Sequence, residues 1–133
     1  MAYNILIVDD SATIRAVITK TLQIAGIPIN KLWQAANGQE ALDLLGEKWI
    51  DLVLLDINMP VMNGVELIKR MELDGLLASV PVIVVSTEGS DTRISELTAK
   101  GVRAYIRKPF SPEALKQVVD KILEASNASR NEP

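Results

Sequence analysis

Apolar runs alternate with helical patterns along the whole chain. Three runs, 4–8, 52–55 and 81–85, are almost wholly apolar, as is typical of strands buried on both faces of a parallel sheet. Two other runs, 31–35 and 102–106, mix polar with apolar residues and are better suited to the edges of a sheet. Each run is followed by apolar residues spaced three and four apart, which predicts five helices.

Capping residues place the ends of these helices. Ser11 is a candidate N-cap for a first helix over about 12–25, and Gly75 helps to end the third helix. A fourth helix is predicted over about 91–100. Ser111 is a candidate N-cap for the last helix, which has proline at its first position.

Strands that alternate with helices predict a parallel sheet with right-handed crossovers. The apolar first, third and fourth strands should be central, and the second and fifth should be edges. The order 2-1-3-4-5 meets this condition, so we predict a flavodoxin-like (βα)5 three-layer sandwich. Residues 1–125 would form the domain and residues 126–133 a polar C-terminal tail.

Composition limits the possible functions. A chain of 133 residues with 14 basic and 17 acidic side chains has a net charge of -3, which gives no broad field for nucleic acid. The N-terminus has no basic segment before a long apolar run, and no apolar stretch is long enough to span a bilayer, so we expect a cytoplasmic protein without membrane insertion.

The chain contains neither cysteine nor histidine. Disulfides, thiol and imidazole nucleophiles, Ser-His-Asp triads and the common zinc sites are therefore excluded. Any chemistry falls to carboxylate, hydroxyl, amide and lysine groups.

Polar residues stand where the predicted strands end. Asp56 directly follows the central strand 52–55, at the edge of a parallel sheet where ligands bind. The same edge would present Asp9, Asp10, Asn58, Ser86, Thr87 and Lys108.

Three neighbouring carboxylates repel one another unless a cation lies among them, and hard oxygen ligands favour Mg²⁺. A phosphoryl group would fit beside that cation, because its oxygens would meet the Lys108 ammonium and the Ser86 hydroxyl. A free Asp56 oxygen could then attack phosphorus and form an aspartyl phosphate.

Each residue also has a purely structural interpretation. An Asp-Asp pair complements the dipole at a helix start, Ser86 and Thr87 could belong to a simple loop, and Lys-Pro is common in surface turns. Their coincidence at four strand ends favours a functional site.

The chain resembles the receiver domain of bacterial two-component response regulators, from Asn4 to about Ala125. The motifs that carry the resemblance are Ile-Leu-Ile-Val-Asp-Asp-Ser, Asp56-Ile57-Asn58-Met59-Pro60 with Gly64 following, Val85-Ser86-Thr87 and Lys108-Pro109-Phe110. Within the family the chain is most similar to the chemotaxis regulators, on the basis of Asn58, Glu88 and Tyr105.

The resemblance implies a role for each site residue. Asp56 would be the phosphoacceptor and Ser86 the switch hydroxyl, and Lys108 would contact the phosphoryl oxygens and precede a cis proline. Metal ligands would be Asp9, Asp10, Asp56 and the Asn58 carbonyl. Asn58 and Glu88 would admit the water that hydrolyses the phosphate, and Tyr105 would report phosphorylation to the partner face.

These roles imply a stand-alone, monomeric regulator that is not an enzyme beyond hydrolysis of its own aspartyl phosphate. A sensor histidine kinase would be the phosphodonor, because the chain has no histidine of its own. Phosphorylation would alter the face made by the fourth helix, fifth strand and fifth helix, which would bind a target such as a flagellar motor switch component.

Three alternatives remain from the sequence. A single-domain phosphorelay shuttle would use the same site. A haloacid-dehalogenase-type phosphatase also uses a strand-end aspartate and Mg²⁺, but it needs a second aspartate as general acid where this chain has Asn58. A flavin carrier would need a phosphate cradle rich in glycine and hydroxyl groups, which no strand-to-helix loop provides.

Overall fold

Five parallel strands form one sheet, in the order β2-β1-β3-β4-β5, in the computed structural model, which describes residues 2–87 and 91–131. The strands are β1 (Tyr3–Val8), β2 (Ile29–Ala35), β3 (Leu52–Leu55), β4 (Val82–Ser86) and β5 (Ala104–Arg107). The predicted order and the flavodoxin-like architecture are confirmed. Every residue of β3 and β4 is buried, whereas β2 and β5 carry exposed residues, as expected for central and edge strands.

Six helices lie within the described residues, where five were predicted. They are α1 (Ala12–Ile24), α2 (Gly38–Glu47), α3 (Gly64–Leu73), α4 (Leu76–Ser79), α5 (Asp91–Lys100) and α6 (Pro112–Asn131). The extra element is the short α4, which begins after Gly75 turns the chain with a φ of 75°. Burial of Leu77 holds this turn against the core.

Several element boundaries differ from the prediction; the second strand, for example, begins at Ile29 and not at Lys31. The fifth strand begins at Ala104 because the Val102 N–H donates to the Leu97 carbonyl at 3.1 Å, which keeps Val102 at the end of α5. The last helix continues to Asn131, so most of the segment predicted as a polar tail has a helical backbone. The division into domain and tail stays a prediction.

The core has two halves, one on each face of the sheet. Helices α2, α3 and α5 pack on one face, over side chains such as Leu6 and Val84. Helices α1 and α6 pack on the other face, over side chains such as Ile5 and Ile83. The two layers cover both faces and leave the strand ends uncovered. Within the described residues no helix is both long and apolar enough to cross a membrane.

Candidate functional site

The sheet itself places the main chain of the site. The Asp9 N–H donates to the Ala35 carbonyl at 3.1 Å, and the Asp56 N–H donates to the Val8 carbonyl at 2.9 Å. These bonds continue the pairing of β1, β2 and β3 one residue beyond the strands. Both aspartates are therefore fixed at one edge by the ladder and not by a loose loop.

Lys108 reaches the same edge from the end of β5. Its N–H donates to the Ser86 carbonyl at 3.0 Å, and its peptide bond to Pro109 is cis. Lys108 Nζ lies 3.0 Å from Asp9 Oδ2 and 3.9 Å from Asp56 Oδ1. The structure thus brings together the carboxylates and the lysine that the sequence placed at one edge.

The three carboxylates form a cluster of unequal exposure. One oxygen from each of Asp9, Asp10 and Asp56 lies within 4.8 Å of the others. Asp9 is buried, Asp56 is half-buried and Asp10 is exposed. Lys108 is the one cation that pairs with this cluster among the described residues, so the site carries an excess of negative charge.

Burial and the neighbouring charges shift the pKa of Asp56. Its pKa lies above the ordinary value of 3.8, chiefly because burial disfavours the charged form. The Lys108 ammonium opposes this effect and lowers the pKa, while the Asp9 charge raises it. The N–H of Ile57 lowers the pKa and Asp10 raises it, each by less. A further cation beside Asp56 would therefore favour its ionised form.

These residues fit a magnesium ion. The donors are carboxylate oxygens, which Mg²⁺ prefers, and the exposure of Asp10 leaves room for water ligands. Asp9, Asp10 and Asp56 would hold the ion, and its charge would offset their mutual repulsion. Asn58, two residues after Asp56, is exposed, and the role of its carbonyl as a ligand stays a prediction.

Gly64 fixes the chain that leaves Asp56. Its N–H donates to the Ile57 carbonyl at 2.8 Å. A Cβ at this position would lie 2.4 Å from the Asp56 carbonyl oxygen and 2.8 Å from Ile57 Cα, both main-chain atoms that cannot move aside. Only glycine permits this approach, which explains why Gly64 stands in the motif that carries Asp56.

Ser86 and Tyr105 lie on the same face of the sheet. Ser86 is fully buried at the end of β4. Tyr105 pairs in register with Val84, which lies two residues before Ser86 on β4 and therefore on the same face. The Tyr105 ring packs against the core half that contains Val84, and its hydroxyl is buried without a hydrogen-bond partner among the described residues. The switch roles of both residues stay predictions. Glu88 lies outside the described residues.

Sequence reasoning missed two contacts that hold Asp9. The N–H of Ser11, identified only as a helix cap, donates to Asp9 Oδ1 at 2.9 Å. Arg15 donates to the Asp9 carbonyl and also, at 2.9 Å, to Gln34 Oε1. The sequence signal for this contact is a cation one turn into α1, five residues after Asp10. Gln34 lies in the run 31–35, whose polar residues predict an edge strand.

Comparison with known proteins gives a consistent picture. The profile of the response regulator receiver domain matches residues 5–120. A chemotaxis protein CheY homolog of Campylobacter jejuni is 38% identical over 121 residues, covering 90% of this chain and 92% of that protein. Chemotaxis protein CheY-3 of Vibrio cholerae is also 38% identical over 121 residues, covering 91% of this chain and 92% of that protein. The structure of chemotaxis protein CheY4 of Vibrio cholerae superposes with a TM-score of 0.80 at 34% identity, covering 92% of this chain and 99% of that one.

Proposed function

We propose that this chain, which belongs to the response regulator receiver domain family, accepts a phosphoryl group on Asp56 from a partner histidine kinase. The observation that carries the proposal is the cluster of Asp9, Asp10 and Asp56 with Lys108 Nζ at 3.0 and 3.9 Å from two of the carboxylates. The donor lies on another protein because this chain has no histidine.

The residues divide the reaction among them. An Asp56 oxygen forms the new bond to phosphorus while the phosphorus–nitrogen bond of the donor breaks, and the donor imidazole keeps the electron pair. Lys108 is close enough to exchange its contact with Asp56 for one with a phosphoryl oxygen. Bound Mg²⁺ supplies the positive charge that lets several negative oxygens meet. Asp9 and Asp10 would hold the ion at the strand ends.

Ser86 and Tyr105 would pass the signal to the surface made by α5, β5 and α6. In this mechanism the Ser86 hydroxyl turns toward the phosphoryl group and alters the space next to Tyr105. An unpaired buried hydroxyl costs about 1–3 kcal/mol, so a rearrangement that gives the Tyr105 hydroxyl a partner is favoured. A bias of a few kcal/mol is enough to invert a two-state population.

The pathway we propose is chemotaxis. Relatives that match nine tenths of this chain are named chemotaxis proteins. The regulator would act in the cytoplasm, and its target would be a protein such as a flagellar motor switch component. Hydrolysis of its own aspartyl phosphate, with Asn58 and Glu88 beside the attacking water, would end the signal.

Phosphorylation by a small donor tests the proposal. Incubation with acetyl phosphate and Mg²⁺ should add one phosphoryl mass to the intact chain, measured by mass spectrometry. The added mass should be absent from Asp56→Asn and present in Asp43→Asn, which changes an exposed aspartate on α2. A label that persists in Asp56→Asn would contradict the assignment of the acceptor.

A further inference from the structure

The peptide group between Asp9 and Asp10 is held by a side chain of α1. Arg15 donates from one terminal guanidinium nitrogen to the Asp9 carbonyl oxygen. Its Nε donates to Gln34 Oε1 at 2.9 Å. Gln34 belongs to β2, the edge strand next to β1, so a single side chain connects the helix, the edge strand and the end of the central strand.

This contact matters more for Asp10 than for Asp9. The Asp9 carboxylate accepts from the Ser11 N–H at 2.9 Å and from Lys108 Nζ at 3.0 Å, so its direction is fixed by its own bonds. The Asp10 carboxylate is exposed and accepts no hydrogen bond within the described residues. Its direction therefore depends on the main chain, and the preceding peptide plane is rigid. Fixing the Asp9 carbonyl oxygen thus fixes where the Asp10 side chain begins.

We propose that Arg15, anchored by Gln34, is a positioning residue that directs the Asp10 carboxylate into the cation site. The inference rests on the proposed function, because it concerns the same Mg²⁺ site. A planar guanidinium suits this role, since its Nε and terminal N–H groups donate in fixed relative directions. A lysine would keep the positive charge and lose the fixed fork.

A nearby positive charge alone would have the opposite effect. If Arg15 acted only by its charge, it would repel Mg²⁺, and its removal would tighten binding. A positioning role predicts that loss of the fork weakens binding while the net charge stays constant. Two variants separate these effects, because Arg15→Lys and Gln34→Ala both leave the charge of the chain unchanged.

The experiment is a calorimetric titration of the unphosphorylated full chain with Mg²⁺ alone. Loss of an outer contact to a metal ligand typically weakens affinity by about tenfold or more, and we expect about that loss for Arg15→Lys. Gln34→Ala removes one charge-assisted hydrogen bond at an exposed position and should raise the Kd by about threefold. The double variant, Arg15→Lys with Gln34→Ala, should lose less binding free energy than the sum of the two single losses, because both substitutions act through one contact.

Matched controls are Arg70→Lys on α3 and Gln23→Ala on α1, which change exposed side chains of the same types. Both should bind Mg²⁺ within twofold of the unaltered chain. Urea unfolding of each variant without metal shows whether the titrated protein is folded. If Arg15→Lys fails to fold, Gln34→Ala still tests the proposal, because Gln34 is exposed.

Tighter or unchanged binding in Gln34→Ala or in a folded Arg15→Lys overturns the positioning role and leaves the proposed function in place. Absence of Mg²⁺ binding by the unaltered chain overturns both. Weaker binding in the variants, with unchanged controls, supports the role of Arg15 and Gln34.

Discussion

Strand β3 has an aspartate directly before it and another directly after it, and the two carboxylates have opposite surroundings. Asp51, at the amino end, is 7% exposed and accepts from the Asn4 N–H at 2.8 Å and from Trp49 Nε1 at 3.0 Å. Asp56, at the carboxyl end, faces two other carboxylates, and its pKa is raised by burial and by Asp9.

The difference shows how one residue type serves structure at one end of a strand and chemistry at the other. Donors surround Asp51, so its charge strengthens the contact between β1 and the chain just before β3. Asp56 shares its one lysine with Asp9 and remains poorly neutralised, which leaves it open to a cation and a phosphoryl group. Four predictions test this contrast.

The largest effect is expected from Asp51→Ala. The change leaves the Asn4 N–H and the Trp49 ring N–H without their acceptor, and it should lower the free energy of unfolding by about 2–3 kcal/mol. Urea unfolding at pH 7 measures the loss. Asp43→Ala, at an exposed position on α2, should change stability by less than about 0.5 kcal/mol. If the two variants were equally stable, the structural role given to Asp51 would be wrong.

Mg²⁺ should stabilise the folded chain through the carboxylates at the carboxyl end of β3 alone. At a concentration of about 100 times its Kd, the ion should raise the free energy of unfolding by about 2.7 kcal/mol, because it binds the folded state. Thermal unfolding with Mg²⁺ and with a chelator measures the gain. Asp10→Asn should lose most of it, while Asp43→Asn should retain it. A gain that survives in Asp10→Asn would place the ion elsewhere.

Without metal, Asp56→Asn should stabilise the chain. The carboxyl has a higher pKa in the folded state than its ordinary 3.8, so its ionisation weakens folding as the pH rises through 3.8 toward the folded-state pKa. The variant should therefore be more stable by about 1–2 kcal/mol at pH 7, a common gain when a destabilising residue of a functional site is replaced. The gain should shrink below pH 3.8. Urea unfolding across pH measures it, and saturating Mg²⁺ should reverse its sign.

The smallest effect is expected from Val61→Gly, in the loop that follows Asp56. Val61 has a φ of 66°, in the left-handed region that β-branched residues rarely adopt, and it is 81% exposed, so its side chain contributes little packing. Glycine should relieve the strain and stabilise the chain by about 1 kcal/mol. Val17→Gly, an exposed valine inside α1, should instead destabilise it, since glycine is unfavourable in a helix.

Much of the fold followed from local patterns. The apolar content of the third and fourth strands identified the centre of the sheet, and polar residues such as Lys31 and Gln34 identified an edge. Caps at Ser11 and Ser111 are confirmed by bonds to the N–H groups three residues later, at 3.2 and 3.1 Å. Helix α4 escaped prediction because a four-residue helix is too short to show a period.

The candidate site was also partly predictable, because parallel strands bring their carboxyl ends to one edge whatever their separation in sequence. The contact of Lys108 with Asp9 across 99 residues follows from that rule. The support for the site did not follow, because a cation one turn into α1 does not by itself show that Arg15 contacts the Asp9 carbonyl.

The sequence by itself determined which residue types meet at the sheet edge, since strand order and strand direction follow from where apolar residues lie. Only the tertiary structure decided how each aspartate is partnered. Asp51 and Asp56 are residues of the same type, one on each side of four apolar residues. Trp49 is close to Asp51 in sequence, but the other groups that make the difference are distant, Asn4 for Asp51 and Asp9 with Lys108 for Asp56. Electrostatic energies depend on distances in space and on burial, which no local pattern contains.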